Sequence, residues 1–289
     1  MTMPHPKLLP ITVGKPDAAE VARDVARSLA EDIGSGDLSA QLVSADARSH
    51  AHVLLRDDAV VAGQAWFDAC FHALDPESRV SWSCHDGAHV TAGTVLCSIE
   101  ANARALLSAE RSALNFLQTL SGTATTTANF VAILGDSKTR ILDTRKTLPG
   151  LRYAQKYAVK VGGGENHRRG LFDAILIKEN HIIAAGGIAA AITRARALAP
   201  EVMVEIEVEN LDEFRLSLAA RPDRIMLDEF SDADLREAIR LRPVGIELEI
   251  SGSVSAQRLA DLAQLGVDYI SIGALTKHVR AVDLSLRWT

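Results

Sequence analysis

The sequence predicts an α/β chain: an N-terminal α+β domain followed by a C-terminal α/β barrel of about six parallel strands. Three observations predict it. From Thr139 onward, short apolar runs alternate with helix-length segments, which implies a parallel sheet. Two of those runs, Val204-Glu-Ile-Glu-Val-Glu209 and Ile246-Glu-Leu-Glu-Ile-Ser251, are apolar on one face only. The first of the strands is not followed by the glycine fingerprint of an open dinucleotide fold.

In chain order, Met1 to Pro10 carries three prolines and no apolar core of a signal peptide. Ala18, Val21, Ala22, Val25, Ala26 and Leu29 recur at helical spacing, so Asp17 to Glu31 is expected to be a helix, stopped by Gly34 and Gly36. His52–Arg56, Arg79–Ser83 and Gly93–Ile99 read as short strands between Gly and Asp turns, with a short helix within Val61–Leu74. Leu106, Leu107, Ala113, Leu114, Leu117 and Leu120 mark a helix over Asn102–Leu120. The run Ser121-Gly-Thr-Ala-Thr-Thr-Thr127 is expected to break or kink it before a second helix to Leu134. The barrel strands are expected at Arg140–Asp143, Ala174–Lys178, Met203–Glu209, Arg224–Asp228, Gly245–Ser251 and Tyr269–Gly273. Helices are expected at Ile188–Leu198, Leu211–Leu218, Ala233–Leu241 and Ala256–Leu265. The domain cut is expected at 115/116, with the tail 280–289 joined to the first domain and the barrel ending at 279.

Strand parity favours a closed barrel over an open sheet. A parallel strand covered by helices on both faces should be apolar throughout. Here Glu205, Glu207 and Glu209 share one face, as do Glu247, Glu249 and Ser251. A solvated edge explains one such strand, but hardly two. Closure turns the polar face to the lumen, where buried carboxylates need partners. Asp143, Arg145, Lys178 and Asp228 are the expected ones.

Composition narrows the function classes. The 289 residues are 47% hydrophobic and 24% charged, ordinary for a globular protein. Aromatics make up 4%, too few for stacking platforms on single-stranded nucleic acid. Cys70, Cys84 and Cys97 form no C-x-x-C pair and read as reduced structural thiols. No apolar run approaches a membrane span, and a cytoplasmic protein is expected. Between Arg140 and Lys178 nine Lys/Arg stand against three Asp/Glu, a local +6 in a chain of net −6, leaving −12 for the remainder. A cationic island in an acidic protein points to a small polyanion more than to nucleic acid or membrane.

Active sites of parallel barrels lie at the C-terminal strand ends. The six ends read Asp143-Thr-Arg-Lys146, Lys178-Glu-Asn180, Glu207 to Glu209, Asp228-Glu229, Ser251-Gly-Ser253 and Gly273-Ala-Leu-Thr276, and all are polar, charged or glycine-rich. Arg145 and Arg168 can grip carboxylates or phosphates bidentately, while Lys146 and Lys178 supply point charges. Glu207 and Asp228 are hard oxygen ligands suited to Mg²⁺ completed by substrate phosphates. Gly162 to Gly164, Ser251-Gly252 and Gly273 offer backbone N–H groups to phosphate. Taken singly, Arg111 is a surface ion-pair partner, His167 a loop hydrogen-bonder, and Lys178 a Schiff-base candidate. Co-location lifts them above those readings.

Glu110-Arg-Ser-Ala-Leu-Asn-Phe-Leu-Gln118, Leu120-Ser-Gly-Thr-Ala124, Asp143-Thr-Arg-Lys-Thr-Leu-Pro-Gly150, Gly162-Gly-Gly-Glu-Asn-His-Arg168 and Ile177-Lys-Glu-Asn-His181 resemble the quinolinate phosphoribosyltransferase family. Glu205-Ile-Glu-Val-Glu-Asn210, Met226-Leu-Asp228, Leu248-Glu-Ile-Ser-Gly252 and Ile272-Gly-Ala-Leu-Thr276 extend the likeness over nearly the whole chain. The resemblance implies an N-terminal α+β open-faced sandwich, the barrel, and a homodimer whose sites take Arg111 from the neighbouring subunit. It implies that Arg111, Arg145, His167, Arg168 and Lys178 hold the quinolinate carboxylates. Lys146, Glu207, Asp228, Ser251, Gly252, Ser253 and Gly273 would hold phosphoribosyl pyrophosphate, with Mg²⁺ on Glu207 and Asp228. Lys146, Lys178, Glu207 and Asp228 are then the expected catalytic residues. One departure stands out: the family usually has Ser-Gly-Gly where this chain has Ser251-Gly252-Ser253.

Overall fold

The computed structural model describes residues 11–289; the proline-bearing segment read for a signal peptide lies outside them. The elements run α1 Ala18–Ile33, β1 Arg48–Leu55, β2 Ala59–Val60, α2 Gln64–Leu74, β3 Arg79–Trp82, β4 His89–Val90, β5 Val95–Asn102, α3 Ala103–Leu134, β6 Arg140–Leu142, α4 Arg152–Val161 and β7 Ile175–Ile177. They continue α5 Glu179–Ala185, α6 Ile188–Leu198, β8 Val204–Val208, α7 Leu211–Ala220, β9 Arg224–Asp228, α8 Asp232–Leu241, β10 Glu247–Ser251, α9 Ala256–Leu262, β11 Tyr269–Ser271, α10 Ala274–Lys277 and β12 Leu284–Trp288. They divide into two compact units, one of residues 11–128, 146–163 and 274–289, the other of 129–145 and 164–273.

The first unit is built on a four-stranded sheet in the order β12-β1-β5-β3. β1 pairs antiparallel with both β5 and β12, so a C-terminal strand lies beside one near the start of the chain. Ala51, Val53 and Leu55 of β1 are buried and alternate with less buried neighbours, the period of a sheet with one covered face. α1 starts at Asp17, whose carboxylate accepts from the Ala19 and Glu20 N–H groups. Its Val21, Val25 and Leu29 enter the core with Trp66, Phe67, Cys70 and Phe71 of α2. Asp24 goes in with them and accepts from the Trp66 indole N–H at 3.1 Å. All three cysteines are free, and burial pushes the Cys70 thiol up to about 12.

α3 departs from expectation. It is one unbroken helix of 32 residues, and the expected break at Ser121–Thr127 is absent. Ser and Thr weaken helices because their hydroxyls compete with the backbone. Here Thr125 and Thr127 donate back to the Ser121 and Thr123 carbonyls inside the helix, at 2.7 and 2.8 Å. The Ser121 hydroxyl accepts from the Ala62 N–H. Gly122 is small for a tertiary reason: an added Cβ would sit 2.1 Å from the Arg280 carbonyl oxygen. The expected domain cut at 115/116 falls inside this helix.

The second unit is a six-stranded sheet in the order β6-β11-β10-β9-β8-β7, every ladder parallel. Val204, Ile206, Val208, Ile225, Leu227, Leu248, Ile250 and Ile270 are buried on its apolar face. Glu205, Arg224 and Glu249 are buried on the opposite one, as the parity argument for a polar lumen requires. β6 and β7 end the ladder. The free edge of β6 is taken by an extended segment: Leu142 bridges Glu165, whose N–H donates to the Ile141 carbonyl at 2.8 Å. The glycine run before Glu165 thus delivers the chain to the seam of the barrel. Among the described residues no helix is long and apolar enough to cross a membrane.

Candidate active site

The strand ends of the second unit carry the chemistry. Asp143, buried one residue past β6, is an organiser: its carboxylate accepts from the His167 N–H at 2.9 Å and from the Asn166 side-chain amide at 2.7 Å. Asp173 closes the same loop, accepting from the Arg169 and Gly170 N–H groups at 2.7 and 3.0 Å. Two carboxylates thus fix the backbone that presents His167, Arg168 and Arg169. Burial and the nearby Arg145 charge pull the Arg168 guanidinium below its ordinary value. Two arginines held close against their repulsion make a site suited to an anion.

Lys178 follows β7 directly and caps α5; its N–H donates to the His181 imidazole at 3.0 Å. Its ammonium forms an ion pair with Glu207 of the neighbouring β8. Asp228 ends β9 and Ser251 ends β10, side by side in register. Past Ser251, Gly252 takes φ +140°, open only to glycine without strain, and the exposed Ser253 donates its N–H to Glu229 at 3.3 Å. Glu229 itself sits at φ +51°, the left-handed region, and its carboxylate lies over Gly252. Gly273 follows β11 by two residues. Arg145, Arg168, Lys178, Glu207, Asp228, Ser251, Gly252, Ser253 and Gly273 therefore belong to one unit, at or just beyond strand C-termini or in the seam loop. Arg111 and Lys146 belong to the other unit. Arg111 is exposed on α3, and the Lys146 carbonyl accepts from the buried Thr276 hydroxyl at 2.9 Å.

One expectation is corrected. Asp143, Arg145 and Asp228 are not the partners of the buried carboxylates. Glu205 and Glu249 meet His167 and Arg224 instead. The register explains it: Arg224 stands opposite both Glu205 on β8 and Glu247 on β10, so its guanidinium spans to Glu247 at 2.9 Å and Glu249 at 3.2 Å. Burial opposes that charge, but Glu205 and Glu249 outweigh it and raise the Arg224 value. The guanidinium also lies over the Tyr269 ring, 4.0 Å from its centroid. Sequence reasoning missed Arg224, although it shares strand parity with Asp228.

The donor set fits Mg²⁺ in a limited way. Glu207 and Asp228 are hard carboxylates on adjacent strands, offset by two residues in register, and Lys178 already pairs with Glu207. That is a site needing substrate phosphates to complete it, not a preformed cage.

Comparison with known proteins identifies the relatives. Residues 123–287 match the family model of the quinolinate phosphoribosyl transferase C-terminal domain, and residues 37–121 that of the N-terminal domain. The chain is 41% identical over 278 residues to the nicotinate-nucleotide pyrophosphorylase [carboxylating] of Mycobacterium leprae, covering 92% of this chain and 97% of that one. It is 40% identical over 257 residues to the probable enzyme of the same name from Bacillus subtilis, covering 89% of each. The solved nicotinate-nucleotide pyrophosphorylase of Francisella tularensis superposes with a TM-score of 0.91 at 46% identity, covering 95% of this chain and 98% of that one. With both domains matched and the fold shared end to end, the chain belongs to the quinolinate phosphoribosyltransferase family.

Proposed function

We propose that this protein transfers the phosphoribosyl group of phosphoribosyl pyrophosphate to the ring nitrogen of quinolinate, with decarboxylation. The products are nicotinate mononucleotide, pyrophosphate and CO₂, a step of NAD biosynthesis. The observation that carries the reading is the gathering of Arg145, Arg168 and Lys178 with Glu207, Asp228 and two glycine-bearing turns on one set of strand ends. A dianionic pyridine and a polyphosphate are the two ligands such a site balances.

In this mechanism Arg145, His167, Arg168 and Lys178, with Arg111 of the partner subunit, hold the quinolinate carboxylates. Lys146, the Ser251–Ser253 turn and Gly273 hold the phosphates, and Glu207 and Asp228 orient the ribose hydroxyls and the metal. Bound Mg²⁺ would neutralise the leaving pyrophosphate. The pyridine nitrogen attacks C1 of the ribose as the C1–oxygen bond breaks, with oxocarbenium-like charge at C1. Positioning and electrostatics supply most of the acceleration. Once the ring is cationic, the 2-carboxylate leaves as CO₂, its electron pair stays on the ring carbon, and that carbon then takes a proton from water to give the nicotinate ring, so no decarboxylation base is required. The protein works as a cytoplasmic homodimer and needs neither nucleic acid nor membrane.

The decisive experiment supplies quinolinate, phosphoribosyl pyrophosphate and Mg²⁺ and measures release of CO₂ and pyrophosphate in equal amounts. Turnover of nicotinate in place of quinolinate would instead assign a related phosphoribosyltransferase. A borohydride-trapped adduct on Lys178 would favour a Schiff-base aldolase; its ion pair with Glu207 argues against a free amine nucleophile.

A further inference from the structure

Lys146 stands in a stretch of chain with no helix or strand of its own, between the end of β6 at Leu142 and the start of α4 at Arg152. Lys146 and Leu148 are exposed there. Such a segment wanders unless its backbone is tied down, and a lysine on it carries a flexible four-carbon stem besides. Two buried side chains supply ties. Gln155 of α4 and Thr276 of α10 are both fully buried. The Gln155 side-chain oxygen accepts from the Leu148 N–H at 2.7 Å, and its amide nitrogen donates to the Thr276 carbonyl at 3.0 Å. The Thr276 hydroxyl donates in turn to the Lys146 carbonyl at 2.9 Å. Three hydrogen bonds thus close a ring through α4, α10 and the Lys146 loop, all within one compact unit.

The chemistry of the ring is demanding. A backbone N–H on one side needs an oxygen, and a carbonyl on the other needs an N–H, so a carboxamide in one orientation answers both. A carboxylate would set oxygen against oxygen at Thr276, and a methionine would leave both backbone groups without their bond. Gln155 lies on a helix buried on nearly every side, with Ala154, Tyr157 and Ala158 around it in the chain. An apolar side chain there would avoid the desolvation that a carboxamide costs. What the carboxamide adds is direction: it fixes Leu148 against Thr276, and Thr276 fixes Lys146. A polar network with every member satisfied rigidifies what it joins.

Resting on the assignment of Lys146 to the phosphoribosyl pyrophosphate site, we infer that Gln155 and Thr276 are positioning residues for that substrate. Being fully buried, neither side chain meets it. They act through the backbone of the Lys146 loop, which they hold so that the ammonium has less freedom left to lose on binding. The effect is selective. The ring grips Lys146 and Leu148, whereas Arg168 lies in the other unit, on a loop fixed by Asp143 and Asp173. Arg145 adjoins Lys146 in the chain, so quinolinate feels the ring only at second hand.

The test measures binding of phosphoribosyl pyrophosphate with Mg²⁺ and, separately, of quinolinate to the full chain by calorimetry, with the KM for each substrate alongside. Gln155→Met keeps the length of the side chain and removes both of its hydrogen bonds. It should weaken phosphoribosyl pyrophosphate about tenfold, the scale of a misplaced contact, and quinolinate by less than about threefold. Thr276→Val removes only the hydroxyl and should act in the same direction; it carries the comparison if Gln155→Met folds poorly. The discriminating readout is a double-mutant cycle with Lys146→Ala. Without the ammonium nothing is left to place, so Gln155→Met, or Thr276→Val in its stead, should add less than about twofold to the loss. Equal weakening of both substrates would make the ring general scaffolding, and full additivity with Lys146→Ala would mean that it acts elsewhere. Either result overturns the inference, as would unchanged phosphoribosyl pyrophosphate binding in a folded variant. A wild-type chain that binds no phosphoribosyl pyrophosphate at all would bring down the reading of the site itself, and this inference with it.

Discussion

At the residue scale, the arginines of the strand ends are costly to assemble and useful for the same reason. Arg168 is held beside Arg145 with its protonated form disfavoured, so an arriving carboxylate relieves repulsion as well as gaining contacts. Arg145→Ala should cost roughly 2–5 kcal/mol in kcat/KM for quinolinate, nearer the lower figure because Arg145 is exposed before substrate binds. Steady-state kinetics with quinolinate as the varied substrate checks it, and near-normal turnover would remove Arg145 from the site. Glu249 makes a different prediction, of stability against pH. Burial, then the Glu205 charge, hold its carboxyl up to about 8, against 4.5 as the ordinary value. Between those values the folded chain binds more protons than the unfolded one, so stability falls as pH rises. The contribution is complete below about pH 4.5 and gone above about 8. Urea unfolding at a series of pH values should show that decline, and Glu249→Gln, neutral at every pH, should flatten it.

At the element scale, α3 shows how tertiary contacts override local preference. Its Ser/Thr-rich turn would fray alone, yet two hydroxyls are satisfied within the helix and a third is engaged by the Ala62 backbone. Gly122 is the tightest point, because backbone rather than a movable side chain would meet its Cβ. Gly122→Ala should therefore destabilise by about 1–3 kcal/mol despite raising helix propensity. Thermal melting decides between the signs: a higher Tm would mean propensity wins. The barrel elements were more legible. β9 and α6 fall where periodicity alone puts them, and the other expected strands and helices differ by a few residues at their ends. β8 and β10 were recognisable as lumen-lining because alternate glutamates have no other economical place in a parallel sheet. Short α4, α5 and β12 were not foreseen; they are too brief, or too mixed in composition, to carry a period of their own.

At the scale of the whole molecule, the proposed homodimer with shared sites makes a complementation prediction. Arg111→Ala and Lys178→Ala chains, each inactive alone, should regain about a quarter of wild-type activity when mixed after subunit exchange. Half of the random dimers then contain one site with neither substitution. Mixed chains that stay inactive while sedimenting as dimers would place Arg111 in the same subunit's site or outside the chemistry.

The sequence by itself determined the class of fold, the polar lumen and the identity of the residues at the strand ends. Those follow from residue type and period, which are local and survive without coordinates. Only the tertiary structure decided which charge answers which. Arg224 rather than Asp143, Arg145 or Asp228 supports the buried glutamates, because register between strands distant in sequence sets who stands opposite whom. The same holds for the surroundings of His167: its ring lies against a backbone N–H one residue away and a carboxylate 38 positions along the chain, and no spacing rule joins the two.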